Sequence, residues 1–172
     1  RREARRIDEH RHTKRKTNAP LLGVPCTIKE FIAVQGQSHT GGLAARKHII
    51  AQEDAVLVSR LKNAGAIILG STNGPEGGLW METYNTVYGR TQNPWSSKHT
   101  PGGSSGGEAA IISAAGSPFG IGSDVGGSIR IPAAFCGIVG HKPTGALVPT
   151  HGHQPPGNVG PYLVTGPMTR YV

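Results

Sequence analysis

The stretch GSDVGGSIR at residues 122–130 lies between two apolar pieces, FGI at 119–121 and IPAAFCGIVG at 131–140. Two glycines directly before Ser128 let successive backbone N–H groups converge beside its hydroxyl, the geometry an oxyanion hole requires. Asp124 and Arg130 flank the turn and carry opposite charges that can pair across it. Taken alone, the segment reads equally well as a structural turn. A dinucleotide fingerprint beginning at Gly120-x-Gly122 fails, because Val125 stands where the third glycine belongs.

Upstream, TPGGSSGGE at 100–108 runs directly into EAAIISAA at 108–115, a short helix of small residues whose first N–H groups face the loop. Gly102 to Gly106 also fits G-x-S-x-G, the nucleophile elbow. An elbow needs a strand before it and an acid and a histidine after it. Residues 91–100 are polar and turn-like, and no Asp or Glu follows Asp124. A phosphate nest at the helix start stays open, although the Gly-Lys-Ser/Thr of the Walker pattern is missing.

Further back, LLGVPCTIKEFIAV at 21–34 alternates Val24, Cys26 and Ile28 and reads as a strand with Lys29 at its end. A lone lysine in that position is ordinarily a snorkelling surface residue. Asp54 is placed to cap a helix over 55–65 that Gly65 ends, and AIILG at 66–70 reads as a fully buried strand. Helix followed by buried strand is the rhythm of an α/β sheet. A short strand is expected at 119–123, and after Lys142 no periodicity predicts an element.

The chain carries a net charge of +8, of which +5 falls in residues 1–16. A charge gathered in one terminal stretch argues for a solvated helix face or a frayed end rather than a nucleic-acid surface. Cys26 and Cys136 lie in apolar surroundings and read as buried free thiols, which places the chain in a reducing, intracellular compartment. No apolar run is long enough to span a bilayer, although peripheral membrane contact stays open. The pairs His10-x-His12 and His151-x-His153 lack the partners of a metal site and read as solvated, so neither metal nor cofactor is expected.

Three segments together resemble the amidase signature family: GVPCTIKE (23–30), PGGSSGGEAA (101–110) and GSDVGGSIRIPAAFCGIVGHKPT (122–144). Lys29 precedes Ser104 by 75 residues and Ser104 precedes Ser128 by 24, as in that family. Within it, STNGPEGGLW (71–80), NTVYGRTQNPW (85–95), GHKPT and GPMTRY resemble the fatty-acid amide hydrolases more than the amidotransferase A subunits. The fold implied is α/β, a mixed sheet with helices on both faces.

The resemblance implies a catalytic triad of Lys29 as base, Ser104 as a relay serine behind a cis peptide at Gly103, and Ser128 as nucleophile. Val125, Gly126 and Gly127 would supply the oxyanion hole, with Gly103, Ser105, Asp124 and Arg130 in support. A serine needs a base to attack, and a lysine can be that base only when burial holds it neutral. The substrate implied is a small-molecule carboxamide, in all expectation a fatty-acid amide, with no nucleic-acid partner. A non-catalytic binding fragment and an amidotransferase A-like glutaminase stay open as alternatives, as does the oligomeric state. The resemblance covers residues 21–172 and is poor over 1–20, which are expected to be an exposed basic segment. The expectation is that the chain ends inside the fold, with the C-terminal part absent, and that residues 1–172 alone are poorly active.

Overall fold

The computed structural model describes residues 1–13, 19–154 and 162–172. Its centre is strand β1 (Pro25–Lys29), paired in parallel on one side with β2 (Ile67–Thr72) and on the other with β5 (Phe119–Asp124). Strand β7 (Val164–Thr169) runs antiparallel to β5 along its full length, and β6 (Val139–Gly140) pairs with β7. The sheet order is β2-β1-β5-β7-β6, with a separate small ribbon of β3 (Tyr84–Asn85) and β4 (Gly89–Arg90).

Alternation along β1 sends Ile28 into one core with Ile121, Leu57 and Val58, the last two from helix α2 (Val56–Asn63). On the opposite face, α3 (Gly106–Ser113) and α4 (Arg130–Cys136) build a second core from Ala109, Ile112, Ile129, Ala133, Cys136 and Met168. The sheet is therefore mixed and has helices on both faces, as expected. Helix α1 (Arg2–Thr13) keeps Arg2, Arg5, Asp8 and Glu9 exposed and half-buries Ala4 and Ile7, so the basic segment is helical with a solvated face.

Several local expectations need correction. Asp54 does not cap α2: its carboxylate accepts the Gln35 N–H at 2.8 Å and pairs with Lys62 at 2.7 Å, leaving Ala55 at the N-cap without a side-chain bond. A nearby cation and a free N–H compete successfully for that carboxylate. Gly65 does end α2, at φ +93°, with Gly65 N–H donating to Lys62 and Ala66 N–H to Leu61 in a Schellman arrangement. Strand β2 is not fully buried. It pairs with β1 alone among the described residues, and Leu69 and Ser71 point outward.

The absence of any expected element after Lys142 is also corrected, by β7. Gly166 and Pro167 erase the period-2 pattern there. Gly166 is nonetheless required, since a Cβ would collide with the His141 carbonyl oxygen. The apolar piece FCGIVG divides in two, its first two residues closing α4 before Gly137 turns the chain at φ +68° into β6. Cys26 and Cys136 are both buried, and burial pushes the Cys136 thiol up to about 11.

Helix α3 packs so closely on the loop after β2 that a Cβ on Gly107 would lie 2.5 Å from both the amide nitrogen and the carbonyl oxygen of Asn73. Backbone atoms cannot step aside as a side chain can. Gly107→Ala is expected to lower stability by about 1–3 kcal/mol, read as an earlier denaturation midpoint at unchanged m-value.

Candidate active site

Lys29 ends β1 with its side chain 1 % exposed. Its Nζ lies 2.6 Å from Ser104 Oγ, 3.0 Å from Ser123 Oγ and 4.9 Å from the centroid of the Phe31 ring. Among the described residues no carboxylate is within hydrogen-bond reach of it. Burial therefore drives the amine down from its usual 10.5 to about 7, against the opposing fields of Asp124 and Glu108.

The two carboxylates are held elsewhere. The Glu108 side chain, fully buried on α3, accepts from Thr27 Oγ1 at 2.6 Å and Thr72 Oγ1 at 2.8 Å. Burial pushes its carboxyl up to about 7, partly offset by those two hydroxyls and by Lys29. Burial also pushes Asp124 upward, but this is outweighed by Arg130 and by the N–H groups of Ile129, Gly127 and Arg130, which hold it at about 2. The guanidinium meets the carboxylate at 3.0 and 3.1 Å, the pairing the flanking charges suggest.

Ser104 follows a cis peptide at Gly103, the conformation expected from the resemblance. Ser105 is buried and ties the two glycine loops together. Its N–H donates to the Ser128 carbonyl at 3.1 Å, and its hydroxyl donates to the Ser123 carbonyl and accepts the Ser123 N–H, both at 3.2 Å. Ser128 is half-buried and lines one cleft of about 190 Å³ with Lys29, Ser104, Ser123, Val125 and His153. Among the described residues no hydrogen bond joins the Ser128 and Ser104 hydroxyls.

Of the three amides expected to form the oxyanion hole, one is already committed. Gly127 N–H donates to Asp124 Oδ1 at 2.8 Å, bracing the turn at φ +119°. Val125 and Gly126 are exposed at its tip, and space around Gly126 is open. The remaining wall of the cleft is apolar, from Phe31, Leu79 and Leu163. Leu79 is 84 % exposed at its rim, and Trp80 and Met81 follow it onto the surface.

Three residues here are not singled out by sequence reasoning: Ser123, Glu108 and Phe31. The reading of His151-x-His153 as a solvated pair is corrected for its second member. His153 is partly buried, stacks on Phe31 at 6.2 Å and 16°, and places Nε2 2.9 Å from Ser123 Oγ. The side chains of the other pair, His10 and His12, lie outside the described residues. No helix among the described residues is long and apolar enough to cross a membrane.

Known proteins share this fold. The Amidase family profile matches residues 1–172, taking in the first 20 residues where the sequence alone suggests little similarity. The chain is 47 % identical over 177 residues to fatty-acid amide hydrolase 2 from Homo sapiens, covering 98 % of this chain and 33 % of that protein. It is 44 % identical to the A subunit of the glutamyl-tRNA(Gln) amidotransferase from Methanosarcina barkeri, covering 87 % of this chain and 30 % of that one. The crystal structure of native peptide amidase from Stenotrophomonas maltophilia superposes with a TM-score of 0.89 at 35 % identity, covering 98 % of this chain and 35 % of that one. The chain thus spans about a third of the length of the curated relatives it matches.

The three shifted groups of the site each make stability vary with pH, while Cys136, raised from 9.0 to about 11, makes stability fall as pH rises above about 9. Between about 7 and 10.5 the unfolded chain still holds the proton that folded Lys29 has released, so stability rises with pH across that window. Glu108 acts oppositely: raised from 4.5 to about 7, it makes stability fall across that interval. Asp124, held near 2 against its usual 3.8, contributes stability that is present above 3.8 and lost as pH falls toward 2. Lys29→Met is expected to abolish the rise between about 7 and 9, below the range in which Cys136 opposes it, in urea titrations run as a pH series. A slope left intact in the variant would mean that another group titrates there.

Proposed function

The chain belongs to the amidase family, and on that premise we propose that it carries the catalytic core of a carboxamide hydrolase working through an acyl-enzyme on Ser128. The observation that carries this reading is the 2.6 Å contact between Ser104 and a buried Lys29 amine poised near pH 7. A neutral amine accepts the Ser104 proton, Ser104 accepts that of Ser128, and Ser128 Oγ attacks the amide carbon. The carbonyl electrons move onto oxygen. Val125 and Gly126 are the amides left to receive that charge, since Gly127 serves Asp124. Collapse breaks the C–N bond, the departing nitrogen takes a proton back from Ser104, and Lys29 restores it. Water then attacks the Ser128 ester by the same relay.

The substrate proposed is a fatty-acid amide. Phe31, Leu79, Val125 and Leu163 give an acyl chain apolar contacts beside the serines, and the exposed Leu79-Trp80-Met81 run extends that surface outward. The likeness to the A subunit of the amidotransferase favours a second reading, a glutaminase. Nothing charged among the cleft-lining residues other than Lys29 is placed to hold an α-amino acid.

The test uses the complete protein and a fluorophosphonate probe. Ser128→Ala is expected to abolish labelling and keep the fold, whereas retained labelling would move the nucleophile to Ser104. Lys29→Ala is expected to lower turnover of a long-chain primary amide by about 10²–10⁴-fold. Wild-type activity should climb as pH rises through about 7, where Lys29 loses its proton. Faster hydrolysis of glutamine than of the lipid amide would favour the glutaminase.

A further inference from the structure

A neutral Lys29 has a single lone pair, and two hydroxyls stand within reach of it, Ser104 at 2.6 Å and Ser123 at 3.0 Å. Only a lone pair aimed at Ser104 serves the relay. If the Ser123 proton points at Lys29, the amine is engaged by a hydroxyl that leads nowhere. The direction of the Ser123 hydroxyl is thus a control point, and what lies on its far side decides it. That neighbour is His153, with Nε2 2.9 Å from Ser123 Oγ.

From this we infer that His153 is a positioning residue: its unprotonated Nε2 draws the Ser123 proton away from Lys29, so that the lysine lone pair stays on Ser104. The inference rests on the relay proposed above. In the tautomer that carries its proton on Nδ1, His153 accepts from Ser123 O–H, and Ser123 Oγ in turn accepts an N–H from Lys29. The Ser123 proton and one Lys29 N–H then each have an acceptor, and the lysine lone pair has one hydroxyl left to meet.

The backbone holds the imidazole to this task. His153 forms a β-bridge with Ile32, Gln154 N–H donates to the Phe31 carbonyl at 2.7 Å, and Ala33 N–H donates to the Gly152 carbonyl at 2.9 Å. Gly152 sits at φ +89°, where a Cβ would press 2.7 Å from Ala55 Cβ, so the loop lies tight against the start of α2. Phe31 stacks on the imidazole, and the lysine amine lies near the same ring. Ser123 itself is buried and fixed through its main chain by Ser105. These main-chain bonds leave the Ser123 hydroxyl itself to rotate.

The experiment is a double-mutant cycle on the complete protein, reading kcat/KM for a long-chain primary amide. His153→Leu keeps bulk but removes the acceptor, and it should lower kcat/KM by about 10- to 100-fold with KM little changed. His153→Gln retains an acceptor and should recover most of that loss. In a Ser123→Ala background, where no hydroxyl competes for Lys29, the same His153→Leu change should have little further effect. Additive losses, or a Gln variant as impaired as Leu, would overturn the inference and assign His153 to packing alone. Thermal unfolding of each variant separates misfolding from mispositioning; should His153→Leu fail to fold, the cycle is run with His153→Met against His153→Gln. Failure of the underlying hydrolase reading would look different, because wild-type protein would then neither label with fluorophosphonate nor turn over the amide.

Discussion

The structure depends on keeping one amine buried without a counter-ion. Lys29 is enclosed by two hydroxyls and an aromatic ring, and the two carboxylates whose fields reach it are both occupied. Were Asp124 or Glu108 to close on Nζ, the pair would hold the proton and the amine would stay charged at neutral pH. Asp124 is kept away by Arg130 and three backbone amides, and Glu108 by the hydroxyls of Thr27 and Thr72. Each of these contacts stabilises a carboxylate and, by doing so, preserves the neutral lysine.

That separation is a matter of spacing within the sheet. Thr27 and Lys29 lie two residues apart on β1, so one hydroxyl and one amine face the same side. Thr27 pairs in register with Gly120 on β5, where a Cβ would meet Glu108 Oε2 head-on. The absence of a side chain at that position makes room for a carboxylate on the helix above. A larger residue would push Glu108 out of its threonine pair, toward other partners. The glycine in the strand is thus an electrostatic requirement as much as a packing one.

The sequence displays the residues that sit in continuous motifs, and hides those that arrive from far along the chain. Ser104, Ser128 and Lys29 each lie in a local pattern, and Asp124 and Arg130 flank a turn whose need for a pair is visible from their charges. The sheet with helices on both faces follows from the family resemblance that those segments carry. Ser123, Glu108 and Phe31 carry no pattern of their own. Ser123 reads as one more strand residue, and Glu108 as a first-turn acid, until folding brings Thr27 and Thr72 to it. His153 is hidden for a different reason: its pairing with His151 suggests a solvated loop, whereas backbone bonds to Phe31 and Ala33 turn it inward. Strand β7 is illegible because Gly166 and Pro167 carry the mark of a loop, although β5 supplies the ladder that overrides propensity.

A further set of contacts joins the two glycine loops into one unit. Ser105 has one N–H and one hydroxyl, and both are directed to the segment that ends at Ser128. Asp124 clamps that segment from the other side, using Gly127 N–H just after the tip of the turn and Ile129 N–H beyond it. Ser128 is thereby fixed through its carbonyl and through both neighbours, while its hydroxyl stays in the cleft. What remains unclamped is the tip at Val125 and Gly126, where open space surrounds the glycine. A turn that is rigid at its ends and open at its tip can present amides to a developing negative charge without first breaking bonds of its own. Preorganisation of this kind is effective because little reorganisation is left for the moment of reaction.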